Sequence, residues 1–253
     1  MRRLTFPLVL ILAAGLSACG KEEPKSVFDK AAEPKVAVDK AFGDKVRAYL
    51  LENPEVLIEV SNALQLKQMA EAEGATEQAF KANKVKIQRD RRDFVINPNG
   101  KVTVVQFYDY NCGYCKVVAP EVLEMARQNP NVRFVFKDFT LGNFGPTSEY
   151  AAAAARALGD KGLFADSHAE MMSRKPLTDE MVDDLLRRNG IDPASVRALE
   201  ASKPQQQYLA DVRALAKDLG IDGTPAFFVE GDFISGARPE ELKAAIAKAL
   251  SGK

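Results

Sequence analysis

An α/β chain interrupted by a long helical stretch is what the sequence predicts, and three patterns carry that expectation. An apolar strand-like run over 102–109 is followed by a helical pattern from Cys115 and a second strand-like run over 132–136. Strand, helix, strand makes a βαβ unit with a right-handed crossover. A stretch of about 147–219 then reads as helix alone, and 226–229 and 233–235 return to strand around Glu230, Gly231 and Asp232. An amphipathic helix over 239–250 closes the chain.

Taken in order, the chain starts with Arg2 and Arg3 ahead of an apolar run over 4–18. That run is too short to span a bilayer and fits the apolar core of a signal peptide. Leu16-Ser17-Ala18-Cys19 resembles the lipobox of bacterial lipoprotein precursors. This resemblance implies cleavage after residue 18 and lipidation of Cys19. Gly20, rather than Asp, then implies sorting to the outer membrane. Such an anchor tethers a domain and does not make it span the membrane. The competing reading is ordinary cleavage that frees a soluble protein. Either route leads to an oxidising compartment.

Residues 19–38 are charged, carry Pro24 and Pro34, and read as a flexible tether. Residues 39–92 read as a small all-α segment. Phe42, Val46, Tyr49 and Leu50 recur at helical spacing. Asn53-Pro54-Glu55 reads as a stop and a fresh helix start, with Asn53 as N-cap. Val56, Val60, Ala63 and Leu64 continue the stripe until Gly74-Ala75-Thr76, where a break is expected before a polar helix. So short a segment cannot build a generous core. It packs on the main domain or joins subunits as a homo-oligomer. Lys84, Lys86, Arg89, Arg91 and Arg92 read as a solvated helix face, with an acidic lipid or partner as the lesser reading.

The main domain is expected over 93–253. Val95 and Ile96 form a short strand, and Asn97-Pro98-Asn99-Gly100 suits a tight hairpin turn. After the strand over 102–109 stands Cys112-Gly113-Tyr114-Cys115. Two thiols so spaced at a helix start feel the positive end of its macrodipole. That favours the thiolate, the species that attacks disulfides. Pro120 falls inside this helix.

The rest of the composition narrows the chemistry. The chain has three cysteines and one histidine, His168, which is too few ligands for structural zinc. Lys116 stands where a c-type haem needs histidine. A two-coordinate copper(I) site stays open, because soft thiolates suit that ion. No cofactor is expected. A static disulfide closing so short a loop would add little stability. His168 follows Phe164 at helical spacing and reads as a hydrogen-bonded helix residue. Lys plus Arg and Asp plus Glu both number 35, so no basic excess points to nucleic acid.

The motif and its surroundings resemble a known family. Cys112 to Pro120 is similar to the active-site helix of thioredoxins, and Gly223-Thr224-Pro225 followed by a hairpin and helix is similar to the second half of that fold. The helical insertion over about 147–219, with the runs around Phe107-Tyr108-Asp109-Tyr110-Asn111 and Phe136-Lys137-Asp138-Phe139, resembles DsbA-like thiol oxidoreductases. The region from Tyr49 to Leu57 resembles the helical prefix of the ScsC-like branch.

The resemblance implies a thioredoxin fold and assigns roles. Cys112 is the exposed nucleophile and Cys115 the buried resolving thiol. Pro225 is a cis proline beside them, Thr224 presents its backbone to a bound peptide, and Gly113 and Tyr114 support the site, Tyr114 by touching substrate or by simply shaping the turn. Gln106 departs from the family, which places an acid six residues before the first cysteine. A Gln cannot relay a proton, and Asp109 is expected to point to the opposite face of the strand.

The implied activity is disulfide formation or isomerisation in envelope proteins, with isomerisation favoured over oxidation. The Gly113-Tyr114 dipeptide lacks a histidine or charge, which implies a mild oxidant. The implied partners are unfolded or misoxidised envelope proteins and a membrane redox protein. The implied place is the periplasm, anchored to the outer membrane.

Overall fold

The computed structural model describes residues 39–252, so the signal segment, Cys19 and the tether lie outside the described residues. The chain divides into two compact units, one ending at Val60 and the other starting at Ser61.

In the first unit, helix α1 (Lys40–Glu52) is capped by Asp39, whose side chain accepts from the N–H of Ala41 at 3.1 Å. Asn53 does not cap the next helix as expected. Its side-chain Nδ2 donates to the carbonyl of Tyr49 at 3.0 Å and its own N–H to the same carbonyl at 2.9 Å, so it closes α1. Unpaired terminal carbonyls at a helix end attract such donors. Helix α2 (Glu55–Gln88) starts just after Pro54. No residue of α1 is buried, and Phe42, Tyr49, Leu57, Ile58 and Val60 are exposed.

In the second unit, α2 runs unbroken past Gly74. A helix-interior glycine costs about 1 kcal/mol relative to alanine, too little to break a helix anchored further on. Phe80 and Ile87 provide the anchor, because both are buried against the sheet.

Among the described residues, five strands form one mixed sheet in the order β1-β3-β2-β4-β5. They are β1 (Phe94–Ile96), β2 (Val102–Tyr108), β3 (Val132–Asp138), β4 (Ala226–Val229) and β5 (Asp232–Ser235). Strands β2 and β3 are parallel, joined by α3 (Gly113–Gln128). The turn at 97–100 is not a hairpin, because β1 pairs antiparallel with β3. The reason is local. Asn97 donates its amide to the carbonyls of Ala126, Asn129 and Val132, at 2.7, 3.2 and 3.1 Å. A Cβ at Gly100 would lie 2.4 Å from the backbone N of Arg133. The turn is docked on the end of α3 and the start of β3. Between β4 and β5 the expected tight hairpin forms, with positive φ at Glu230 and Gly231.

Alternation on β2 builds two cores. Val102, Val104 and Tyr108 face α3 and α9 (Pro239–Ser251), together with Val118, Val122 and Leu242. Val105 and Phe107 face Leu209, Val212 and Ala216 of α8 (Lys203–Asp218) with Phe80 and Ile87. The insertion comprises α4 (Thr147–Gly159), α5 (Phe164–Ser173), α6 (Asp179–Arg188), α7 (Pro193–Glu200) and α8. The small side chains of Ala151 to Ala155 are all buried and let neighbouring helices approach α4 closely. Among the described residues no helix is long and apolar enough to cross a membrane.

Candidate active site

Strand β2 ends at Tyr108, and a four-residue turn delivers Cys112 as the N-cap of α3. Its Sγ accepts the N–H of Cys115 at 3.4 Å, so the sulfur satisfies one of the orphan donors of its own helix. The turn is held from both sides. Asp109 accepts from the N–H of Asn111 at 2.7 Å, the hydroxyl of Ser148 at 2.6 Å and the N–H of Leu141 at 3.1 Å. Asn111 exchanges two hydrogen bonds with the backbone of Leu177, at 3.2 and 3.0 Å.

Both cysteines carry free thiols and they experience opposite fields. Cys112 is pulled down to about 6, first by the hydrogen bond from the Cys115 thiol. The Thr224 side chain and the N–H groups of Cys115 and Tyr114 add to that pull, against the effect of burial. Burial and the neighbouring Cys112 push Cys115 well up. A thiol poised to ionise thus stands before one that holds its proton.

The Thr224–Pro225 peptide is cis and lies beside the pair. As a thiol, Cys112 donates to the carbonyl of Thr224 at 3.2 Å. The expectation of an exposed first cysteine is corrected. Cys112 is only 3% exposed, since its sulfur is engaged by the helix on one side and Thr224 on the other. What remains open faces a groove of about 650 Å³. Gly113, Tyr114, Val117, Phe144, Gly223 and Thr224 help to line it. Tyr114 is 71% exposed at its rim.

Gln106 is buried, and neither atom of its amide finds a protein partner. By alternation it shares the face of β2 on which α3 packs. Asp109 lies past the end of β2, and its carboxylate is spent on Asn111, Leu141 and Ser148.

Sequence reasoning missed several contributors. Lys116 is enclosed although it follows Cys115 directly. A second cis peptide, Lys175–Pro176, precedes Leu177, and Lys175 lines the groove with Asp222. No local pattern signals the Asn111–Leu177 exchange, because its partners are 66 positions apart. His168 is a hydrogen-bonded helix residue, as its spacing suggests. It meets the Tyr110 hydroxyl at 3.0 Å through Nδ1 and lies among Tyr108, Phe136 and Phe164. Burial pushes it down to about 3, so it stays neutral. Tyr108 donates to Asp138 at 2.5 Å and its hydroxyl oxygen lies 3.3 Å from that of Tyr110, and burial lifts Asp138 to about 7. Among the described residues no cluster of three or more His, Cys, Asp or Glu could hold a metal.

Similarity to known proteins agrees with this geometry. Residues 103–247 match the family described as DSBA-like thioredoxin domain, and residues 40–71 match the copper resistance protein ScsC N-terminal domain. A thioredoxin-like oxidoreductase from Silicibacter pomeroyi DSS-3 is 31% identical, with a TM-score of 0.61, covering 67% of this chain and 98% of that one. Proteus mirabilis ScsC in a transitional conformation is 26% identical, with a TM-score of 0.60, over 85% of this chain and all (100%) of the other. A Na(+)/H(+) antiporter NhaA 1 of Salinispora arenicola is 31% identical over 172 residues, 64% of this chain and 25% of the antiporter. The chain thus spans about a quarter of the first curated relatives it matches. With a match over more than half its length, a thioredoxin-like sheet and a helix capped by the first of two cysteines, the chain belongs to the DSBA-like thioredoxin domain family.

Proposed function

We propose that the chain is a protein thiol–disulfide oxidoreductase of the cell envelope, acting through Cys112 and Cys115 as an isomerase more than as an oxidase. The observation that carries it is the opposed pair: one thiol lowered to about 6 at a groove and its partner raised behind it. The Cys112 thiolate attacks a substrate disulfide, forms a mixed disulfide and expels one substrate thiolate. That thiolate either attacks another substrate disulfide, whose expelled thiolate then attacks the substrate sulfur of the mixed disulfide, so that the substrate is rearranged and the Cys112 thiolate is released, or it stays reduced. In the second case Cys115 loses its proton to solvent and attacks Cys112, so two electrons pass to the substrate and the pair becomes a disulfide. Oxidation is the same sequence in reverse. Thr224 and Pro225 are proposed to seat the substrate backbone, and Gly113 and Tyr114 to border it.

A first thiol near 6 supports mild rather than strong oxidation. Its ionised form is stabilised far less than one near about 3.5, the value of the strongest oxidants of this chemistry. The exposed apolar residues of α1 and early α2 support a homo-oligomer formed through the prefix, which would present several sites to one misfolded chain. The lipobox-like segment supports lipidation at Cys19 and attachment to the outer membrane. A membrane redox protein would keep the pair in its working state.

The test is repair of a scrambled disulfide substrate by the purified protein, with its potential measured in glutathione buffers. Repair is expected from the reduced protein. Cys112→Ser is expected to abolish it, and Cys115→Ser to accumulate mixed disulfides. Stoichiometric copper(I) retention without any exchange would overturn the proposal.

A further inference from the structure

Lys116 sits in the first turns of the helix that carries the reactive pair. Its N–H donates to the carbonyl of Cys112 at 3.1 Å, placing it one turn beyond that cysteine and next to Cys115. The residue is 5% exposed. Lysine is almost never so enclosed unless its charge is balanced. Its Nζ reaches the carbonyl of Met171 on α5 at 3.5 Å, the outer limit of a hydrogen bond.

The charges around it are few. Asp109, in the turn before α3, attracts it but is already engaged by three donors. Lys175, after α5, repels it. From α5, His168 is neutral and bonded to Tyr110. Gln106, on the sheet beneath α3, carries no charge. The remaining attraction comes from the two sulfurs.

We propose that Lys116 is a positioning charge for the dithiol: its enclosed ammonium offsets the negative charge that appears when Cys112 or Cys115 ionises. The proposal rests on the reading of the pair as redox-active. Burial lowers Lys116 to about 8 against the pull of Asp109 and the sulfurs, so it remains largely charged at neutral pH. It thereby supplies a fixed positive field where the family's titratable acid is missing. The proton still leaves to solvent, and what Lys116 changes is the cost of the anion left behind.

The experiment has two arms on the full-length protein. In Lys116→Met, thiolate absorbance should place the Cys112 midpoint about one pH unit higher, the effect expected of losing one nearby opposite charge. At pH 7 the equilibrium with glutathione should then move roughly fivefold toward the protein disulfide, because the reduced form loses its stabilised thiolate. In the unmutated protein, the Lys116 ammonium followed by NMR should titrate at higher pH in the reduced form than in the disulfide form, since coupling between two sites is reciprocal. Identical Lys116 midpoints in both redox states, or an unmoved Cys112 midpoint in a folded Lys116→Met protein, would overturn the proposal. The NMR arm decides alone if the variant does not fold. Coupled titration in a protein that exchanges no disulfides would support this charge pairing while overturning the redox reading.

Discussion

The Sγ of Cys112 lies 3.2 Å from the carbonyl oxygen of Thr224, across 112 positions of sequence. That single contact joins the two halves of the sheet domain at the reactive sulfur. It also requires that the sulfur keep its proton to make the bond, so ionisation exchanges one set of partners for another. As a thiolate, Cys112 can only accept, and the N–H groups of the first helical turn take over.

The first prediction concerns pH. With Cys112 near 6, its alkylation should be about tenfold faster at pH 7 than at pH 5, following the thiolate fraction. The reduction potential should fall by about 59 mV per pH unit below 6 and about 30 mV above it, because one fewer proton then accompanies two electrons. Iodoacetamide trapping and glutathione titrations check both slopes. A single slope through pH 5 to 8 would contradict the lowered thiol.

Gln106→Glu should restore a titratable group on the face of β2 that α3 covers. Release of mixed disulfides is expected to become several-fold faster and to gain a new inflection in its pH profile. Stopped-flow exchange with a model peptide disulfide measures it. Superimposable profiles for the two proteins would remove any role for position 106 in proton movement.

His168 and Asp138 act in opposite senses on acid stability. His168 is held near 3 against its usual 6.5, so its contribution is present above pH 6.5 and lost as the pH falls toward 3. Asp138 is held near 7 against 3.8, so its contribution is present at low pH and lost as the pH rises through 7. Between about 4 and 6.5 the two slopes largely cancel. His168→Phe should therefore gain about 1.4 kcal/mol on the unaltered protein for each unit of acidification in that range. Denaturant melts at pH 4.5, 5.5 and 6.5 test the sign.

Lys137 and Asp93 form an ion pair of 2.6 Å with both side chains enclosed. Lys137 also donates to the carbonyl of Lys86 on α2 at 2.8 Å. Lys137→Met should destabilise by about 3–5 kcal/mol, because it strands the Asp93 carboxyl. The double variant Lys137→Met with Asp93→Leu should recover much of that loss. Urea unfolding of the three proteins closes the cycle.

A chain beginning at Ser61 keeps Phe80 and Ile87, which the second core needs, and discards the apolar surface of α1 and early α2. It should keep its exchange rate per site and sediment as a monomer, while the longer chain self-associates. A larger truncation, to residue 92, should unfold the domain as well. Equal sedimentation of the two chains would argue against assembly through the prefix.

How much of this was legible in the sequence varies with range. Local chemistry wrote itself plainly. The helices at 179–188 and 239–251 show their apolar spacing, the Glu230-Gly231 hairpin shows its turn residues, and Cys112 stands where a helix must start. Asn53 was harder, because Asn can serve the helix before it as well as the one after. At Gly74 the glycine's local penalty is outweighed by the distant packing of Phe80 and Ile87, which no local pattern displays. The hairpin expected at 97–100 failed because β3 takes the place beside β1, which no turn pattern reveals. The cysteine pair was readable, whereas the enclosure of Lys116 was not, because a lysine's burial depends on what α5 brings over it.

The strand that carries the reactive turn has neighbours on both sides, β3 and β4, and none of its residues is open to solvent. Amide protons on β2 can therefore exchange only when the whole sheet comes apart. In mild denaturant, opening is expected at the edge strands β1 and β5 before β2. The Cys112 turn hangs from this fully paired strand, while its hold on Ser148 and Leu177 comes from the insertion, so loosening of the insertion is expected to free the turn before the strand itself yields.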